Sequence, residues 1–321
     1  MLIEITSPAL LILGALRLEG KTHLLGVTLQ YPPIQLFAQP AMALKVTGAR
    51  ADEARRQAEA FYDHHALEGG AEIEIELAIP NHVGLGSGPM LGLSVAQAIS
   101  WAHGLSFGHR PLLAQLLDYE PRHASFIYAF DQGGLLLVEA EASPGSFGAI
   151  RRRHAIEHPT DSAWAFNFVF PKTPPGTPPT LEEDRLQALL AAAPRLDDEA
   201  SRKANEQLWD AAGGDDILSF ANALMAIQSL NAEASPSLTD EEQSILDVMR
   251  EGGALAYGRT ATGMGLFGLT KGSKPSIELR RKLQNHIGLS GGTVMATIAD
   301  NAGARHTIKE ETLADRSLRD T

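Results

Sequence analysis

A glycine-rich stretch directly in front of an apolar, alanine-rich segment offers the clearest chemistry in the sequence. Residues 81–100 read NHVGLGSGPMLGLSVAQAIS. Glycines let a backbone approach a ligand closely, and N–H groups at the start of a helix can converge on one anion. The stretch therefore predicts a phosphate-binding loop, with a tight turn that binds nothing as the alternative. The predicted phosphate-binding residues are His82, Gly84, Leu85, Gly86, Ser87 and Gly88.

Side chains elsewhere in the sequence supply further candidates for a phosphate site. Lys172 and Arg259 could neutralise a phosphate or diphosphate, and Thr260 joins Arg259 as a substrate-binding candidate. Asp131, in the turn before Gly133, could hold Mg²⁺ through water or serve as a base. Each has an ordinary alternative, because exposed lysines and arginines are usually solvated and an aspartate in a turn often bonds its own backbone. Asp131 and Lys172 are the candidate catalytic residues.

The composition excludes several classes of function. The chain has 321 residues, a formal net charge of −12 and no cysteine. A negative chain without a basic stripe argues against nucleic acid or an anionic membrane as partner. Without cysteine there can be no disulfide, thiolate zinc site or cysteine nucleophile. The remaining expectation is a globular protein that acts on a small phosphorylated molecule.

A zinc-protease signature is also present, but its context argues against it. Residues 154–158 read HAIEH, which satisfies the pattern HxxEH. The two histidines of that pattern must share one face of a helix, whereas here Pro159 follows and three arginines precede. We therefore predict a strand or loop here, and no protein-held metal.

The pattern of the chain predicts the elements that must position these residues. Residues 71–80 alternate apolar and acidic side chains, which is typical of a half-buried strand, and a helix is expected from about Pro89. Five prolines between 171 and 179 predict an exposed loop after a strand at 165–170. Other predicted strands lie in 1–20, 133–142, 263–272 and 291–300, and other predicted helices in 52–66, 181–232, 237–253 and 276–288.

These elements predict an α+β protein of two domains. The first, residues 1–158, is strand-rich and carries the glycine loop, and the second, residues 159–306, ends as a split α/β sandwich. Residues 307–321 are expected to be a charged, frayed tail. The apolar run near the amino terminus begins with Glu4 and is too short to span a bilayer, so it is interpreted as a strand and the protein as cytoplasmic.

The stretch PNHVGLGSGPMLGLSVAQA, from Pro80, resembles the phosphate loop of the GHMP kinase superfamily. Within that superfamily it is most similar to the form PxHVGLGSGTQLALAVA of the β-ribofuranosylaminobenzene 5'-phosphate synthase family. Three later stretches resemble that family in order and spacing. They are FDQGGLLLVEAE from Phe130, FVFPKTPPGTPP from Phe168 and AYGRTATGMGLFGLTK from Ala256.

The resemblance implies a GHMP-kinase-like fold and a phosphoribosyl-transferring activity. The family condenses phosphoribosyl pyrophosphate with 4-hydroxybenzoate or 4-aminobenzoate, releasing CO₂ and pyrophosphate, in the synthesis of the one-carbon carrier tetrahydromethanopterin. It also implies a homodimer. Phosphoribosyl pyrophosphate or ATP, with Mg²⁺, would be the phosphorylated substrate.

The sequence departs from these relatives at side chains that would contact a substrate. Phe126 stands where a superfamily kinase has its aspartate base, and the synthase family also lacks that aspartate. Leu10 and Ile12 replace an arginine and a histidine of the synthase family. Two alternatives therefore remain beside the synthase: an ATP-dependent small-molecule kinase with another base, such as Asp131, and a non-catalytic ligand-binding paralogue or partner subunit.

Overall fold

The computed structural model describes residues 1–105, 120–141, 147–288 and 291–317 and contains two β-sheets with helices packed on them. The predicted α+β class is confirmed. The first sheet has seven strands in the order β11-β1-β2-β4-β3, with β5 paired to β2 and β6 to β5. Its strands are β1 (Leu2–Leu18), β2 (Lys21–Ala41), β3 (Lys45–Gly48), β4 (Gly70–Leu77), β5 (Leu135–Glu139), β6 (Ile150–His154) and β11 (Arg305–Lys309).

The second sheet has four antiparallel strands in the order β10-β7-β9-β8. These strands are β7 (Trp164–Pro171), β8 (Ala256–Arg259), β9 (Leu266–Lys271) and β10 (Gly292–Thr297). The helices of the described ranges are α1 (Ala51–His65), α2 (Ser87–Ala102), α3 (Ala124–Gln132), α4 (Leu181–Ala192), α5 (Asp198–Gly213), α6 (Ile217–Leu230), α7 (Asp240–Glu251), α8 (Ser273–Ile287) and α9 (Leu313–Ser317). None of them is long and apolar enough to cross a membrane.

Strand β1 forms the centre of the larger core. Its residues 7–16 are all buried, and α2, α5 and α6 all pack against the strand. A strand covered in this way shows a continuous apolar run rather than alternation, which explains the sequence ALLILGAL in its middle. Strand β4, by contrast, buries Ile73 and Ile75 while its glutamates stay accessible, as the alternation predicted.

Residues 307–317 are not the frayed tail that the sequence predicted, because they contribute to a strand and form a short helix. Strand β11 pairs antiparallel with β1, from Thr6 opposite Arg305 to Leu2 opposite Lys309. Glu4 accepts hydrogen bonds from Thr307 (3.1 Å) and Lys309 (2.9 Å). Helix α9 follows, and Leu313 packs with Leu2 and Phe37. Strand β11 thus pairs with β1 at the edge of the first sheet. Charge pairs between the two strands stabilise it although its residues are polar.

The HxxEH stretch is not a helix. His154 ends β6, and Glu157 and His158 follow in irregular structure. His158 Nδ1 lies 3.2 Å from Asp215 Oδ1, and its ring stacks on Trp164. Across the described ranges, no three histidine, aspartate or glutamate side chains form a group that could hold a metal ion. The interpretation of this stretch as strand and loop is confirmed.

Candidate anion-binding site

The glycine loop joins β4 to the start of α2. Gly84 has φ 78° and Gly86, the residue before the helix, has φ 72°. These left-handed conformations suit glycine because a side chain would crowd the backbone there. Gly86 has no side chain to cap α2, so the first N–H groups of the helix are available to an external acceptor. The glycine turn and the start of α2 therefore lie close to where the spacing predicted them.

A segment between β8 and β9 fixes the shape of the loop. Thr260 Oγ1 donates a 2.8 Å hydrogen bond to the carbonyl of Val83, and Met264 N donates a 2.7 Å bond to the carbonyl of His82. A Cβ on Gly84 would lie 2.4 Å from Thr260 Oγ1 and 2.6 Å from the Gly263 nitrogen. The two backbones therefore pack too closely to admit any side chain at Gly84.

Leu10 of β1 and Arg50, the residue before α1, also hold the loop. Leu10 N donates a 3.1 Å hydrogen bond to the carbonyl of Leu85. Arg50 Nη1 donates to the carbonyls of Ile79 (3.0 Å) and Ser87 (2.9 Å), which lie before and after the glycines. The Arg50 side chain is only 12% exposed. It therefore links the two ends of the loop and places a positive charge beside it.

The loop donors converge on a carboxylate of the chain itself. Glu182, in the first turn of α4, accepts hydrogen bonds from Gly84 N at 2.8 Å, Ser87 N at 3.3 Å and Ser87 Oγ at 3.0 Å. A carboxylate and a phosphate both offer anionic oxygens to such donors. The loop donors of the structure therefore bind an acidic side chain of the chain itself.

The environment of Glu182 opposes its charge. Part of the side chain is accessible, yet protein atoms enclose the carboxylate, and burial raises the pKa of Glu182 above its usual value. The hydrogen bonds from Gly84 and Ser87, with the nearby charge of Arg50, act in the opposite direction. The raised pKa shows that desolvation outweighs these favourable contacts.

The neighbouring Glu183 is bound in a different way. Its Oε1 accepts a 2.7 Å hydrogen bond from Arg122 Nε, and its Oε2 lies 3.0 Å from His123 Nε2. Glu120 N donates to His123 Nδ1 at 3.0 Å, so Nε2 carries the proton that Glu183 accepts. The hydrogen bond from His123 is the main cause that lowers the pKa of Glu183 to about 2.

A cavity of about 210 Å³ lies beside the loop. His82, Gly86, Ser87 and Gly88 line it, together with Phe126 and the carboxylates of α4. A Cβ on Gly86 would lie 2.7 Å from Phe126 Cε1, so the ring lies directly against the loop. Burial, followed by the charge of Arg50, lowers the pKa of His82. The cavity thus has backbone donors and a histidine on one side and an aromatic ring on another.

Solved structures of small-molecule kinases share this architecture. The homoserine kinase of Cytophaga hutchinsonii has a TM-score of 0.63 at 14% identity, over 95% of this chain and 97% of that chain. For the mevalonate kinase of L. major in complex with R-mevalonate the TM-score is 0.66 at 13% identity, over 93% and 96%. The Lactococcus lactis galactokinase complexed with galactose gives 0.65 at 12% identity, over 95% of both chains. The chain has the GHMP kinase fold.

A curated relative agrees with the resemblance seen in the sequence. The β-ribofuranosylphenol 5'-phosphate synthase of Archaeoglobus fulgidus is 30% identical over 112 residues. The match spans 35% of this chain and only 36% of the length of that protein. No family model matches the chain. The resemblance to a synthase with the GHMP kinase fold is therefore confirmed, whereas the reaction is a matter for proposal.

The predicted phosphate-binding residues differ in whether they line the cavity or support the loop from behind. His82, Gly86, Ser87 and Gly88 line the cavity, and Gly84 contributes its backbone N–H. Leu85 is buried and its carbonyl is bonded to Leu10 N, so it supports the loop from behind. Glycine spacing therefore predicted the position of the loop, and phosphate binding by these residues stays a prediction.

The structure places the candidate side chains outside this cavity. Lys172 is exposed after β7, close to Gly291. Asp131 lies near the end of α3, next to Gly303, whereas Phe126 of the same helix reaches the loop. The Arg259 side chain is 8% exposed and bonds the carbonyls of Pro236 and Ser237 and the carboxylate of Glu242. Thr260 contacts the Val83 carbonyl and so positions the loop.

Sequence reasoning missed the residues that contact the donors and close the loop. Arg50, Glu182 and Glu183 are part of the site, and Arg122 and His123 join it through Glu183. Acidic residues in the first turn of a helix are common because they complement the helix dipole, so Glu182 and Glu183 carried no distinctive signal. Only their place after the proline-rich loop, where the family resemblance continues, pointed to this region.

Proposed function

We propose that this protein binds a small phosphorylated substrate at the glycine loop and acts as a synthase of the β-ribofuranosylaminobenzene 5'-phosphate type. The observation that carries the proposal is the convergence of Gly84 N, Ser87 N and Ser87 Oγ on one anionic group. Three donors aimed at one position would suit a phosphate of phosphoribosyl pyrophosphate.

Phe126 favours phosphoribosyl transfer over phosphorylation by a kinase that uses the usual aspartate base. A kinase of this fold would need a group that accepts the proton of the substrate hydroxyl, and Phe126 at the cavity wall cannot do so. Transfer of a phosphoribosyl group instead requires a stabilised pyrophosphate leaving group and little proton transfer by the protein. The backbone donors suit that requirement, and Arg50, which is paired with Glu53 at 2.7 Å, lies next to them.

The described residues do not offer Mg²⁺ a dedicated site, because they contain no group of three acidic or histidine side chains suited to a metal. Mg²⁺ is commonly held by substrate phosphates with few protein ligands. In this proposal the ion, when bound, supplies charge neutralisation of the diphosphate. The chain's own contribution is the set of loop donors that orients the phosphate.

A non-catalytic ligand-binding role is the second candidate. Leu10 and Ile12, where the synthase family has an arginine and a histidine, are fully buried apolar residues in β1. The side chains of Leu10 and Phe126 lie against Gly86, so this side of the loop is apolar. A protein with this composition could retain the loop for binding while lacking the groups that hold the second substrate.

The two candidates are separated by a binding experiment followed by an activity assay. Calorimetric titrations with phosphoribosyl pyrophosphate and with ATP, each with and without Mg²⁺, should show binding of the first compound, and Ser87→Ala should weaken it. Release of CO₂ from 4-hydroxybenzoate or 4-aminobenzoate would then establish the synthase. Binding without CO₂ release favours the non-catalytic role, binding of ATP alone favours a kinase, and binding of neither compound contradicts the proposal.

A further inference from the structure

We propose that the first turn of α4 is a displaceable latch on the anion site, in which Glu182 occupies the loop donors until the phosphate of the substrate replaces it. The inference rests on the proposed function, because it assumes that the loop binds phosphate. It adds a regulatory step, since the site must open before it can be filled. The contacts of α4, the competition between two anions and the size of the cavity support it.

Three charged residues within one turn hold α4 on the site. Glu182 accepts the hydrogen bonds of the loop, and Glu183 pairs with Arg122 and His123. Arg185 Nη1 donates a hydrogen bond to the carbonyl of Gly263, in the segment that shapes the loop. These contacts are polar and reach partners on both sides of the cavity, so they can be exchanged for water or ligand more readily than a packed apolar contact.

The two ends of this turn are held very differently. Downstream, Leu186 and Leu189 are buried in the main core and anchor the body of α4. Upstream, residues 172–180 are almost entirely exposed and contain no helix or strand. Segments with few buried apolar contacts open at low free-energy cost. The turn can therefore move at its exposed end while the rest of the helix stays packed.

Glu182 and a phosphate cannot use the same donors together. One N–H points at one acceptor, and two anions within a few ångströms repel strongly in a partly desolvated site. Burial already raises the pKa of Glu182, which means that the protein holds this charge at some cost. A phosphate has more negative charge and more oxygens than a carboxylate, so it can compete with Glu182 for the loop donors.

The cavity in its present form is small for the proposed substrate. Its volume is about 210 Å³, whereas sites for small-molecule ligands usually measure about 300–1,000 Å³. Glu182 and Glu183 form part of its lining. Movement of the first turn of α4 would remove both carboxylates from the wall and enlarge the site beside the loop donors. The observed arrangement is thus the closed state.

The experiment compares affinities for inorganic pyrophosphate among four full-length proteins by calorimetry. Glu182→Ala removes the competing anion, and Glu182→Gln retains its shape without its charge. Asp184→Asn is the matched control, because Asp184 is an exposed carboxylate of the same turn that bonds Thr180 Oγ1 at 2.8 Å. We expect Glu182→Ala to bind about tenfold more tightly than wild type, the factor for a latch open about a tenth of the time. Glu182→Gln should be intermediate and Asp184→Asn unchanged.

Amide hydrogen exchange supplies an independent readout of the movement. Pyrophosphate should keep residues 84–87 of the wild-type protein protected while residues 181–185 lose protection. Equal affinity of wild type and Glu182→Ala, or added protection of both segments, would overturn the latch while leaving phosphate binding intact. If neither protein binds pyrophosphate, the proposed function fails and the latch fails with it.

Discussion

The two walls of the cavity differ in what holds their chemistry. The loop wall works through backbone groups, namely the N–H donors of Gly84 and Ser87, and its shape depends on the conformations of Gly84 and Gly86. The rest of the lining works through side chains, among them Phe126, whose apolar ring lies against Gly86. A backbone site can persist while the side chains around it change, because its geometry depends on glycines and on packing.

In the proposed function, the backbone groups would bind the ligand and the side chains would determine what reaction follows. Leu10 illustrates the point, because its backbone N–H supports Leu85 while its side chain is apolar where the synthase family has arginine. The same residue thus preserves the loop and removes a charge. Changes to the loop backbone should consequently abolish binding, and changes that only adjust charges near it should alter binding by smaller factors.

The largest effect is expected from Gly86→Ala. The new Cβ would lie 2.7 Å from Phe126 Cε1, and φ is 72°, so both a clash and backbone strain arise. We expect loss of detectable pyrophosphate binding by calorimetry and a fall of about 2–4 kcal/mol in the free energy of unfolding. Gly86→Val carries a larger side chain, so its free energy of unfolding should fall further than that of Gly86→Ala.

The matched control is Gly253→Ala. Gly253 has φ 89° with open space around its Cβ position, so alanine there adds strain without a clash. Its unfolding free energy should fall by about 1–2 kcal/mol while pyrophosphate binding stays at the wild-type value. Retained binding in Gly86→Ala would show that the loop backbone is not the anion site.

A smaller effect is expected from Thr260→Val, which removes one support of the loop. The substitution keeps the shape and deletes the hydrogen bond to the Val83 carbonyl, leaving that buried acceptor unpaired. We expect a loss of about 1–3 kcal/mol in unfolding free energy, with weaker pyrophosphate binding. Thr47→Val, at an exposed position of β3, should change neither quantity. Unaltered binding in Thr260→Val would mean that the loop keeps its shape without this support.

The pH dependence of stability tests the contact of Glu183. Its pKa is about 2 in the folded protein and near 4.5 when unfolded, so the folded state favours the charged form. The resulting stabilisation is fully present above about pH 4.5 and is lost as the pH falls toward 2. Because the side chain is 34% exposed, solvent screening limits the effect to about 1 kcal/mol.

Denaturant unfolding of wild type and Glu183→Gln at a series of pH values measures this contribution. Wild type should be the more stable protein at pH 7, and the difference should disappear near pH 2–3. Asp184→Asn serves as the control for loss of one charge from the turn. A difference that stays constant with pH would show that Glu183 contributes packing rather than charge.

Much of this architecture could be predicted from the sequence, whereas the contacts across the site could not. Alternation marked β4 and glycine spacing marked the loop, because both are local patterns. Strand β11 was missed because its residues are polar and exposed, and the pairing of Glu4 with Lys309 joins positions far apart in the chain. The partners of Glu182 and Arg259 were not predicted either, because these residues also bond to positions distant in the sequence. Long-range partners determine whether a charged side chain binds a ligand, another residue or only water.

The smallest expected effect concerns the charge of Glu182 itself, and sulfate is a suitable probe because it does not titrate near neutral pH. The pKa of Glu182 is raised by burial, so its carboxylate gains a proton at a higher pH than an ordinary glutamate. As the pH falls through that value, the competing charge disappears and wild-type affinity for sulfate should rise by a few-fold. Protonation of His82 raises affinity in every variant as the pH falls. The ratio of wild-type to Glu182→Gln affinity isolates Glu182: it should approach one as the pH falls below the pKa of Glu182 and decrease as the pH rises above it. A ratio independent of pH would mean that the carboxylate does not compete with the ligand through its charge, and that the two walls of the cavity act independently.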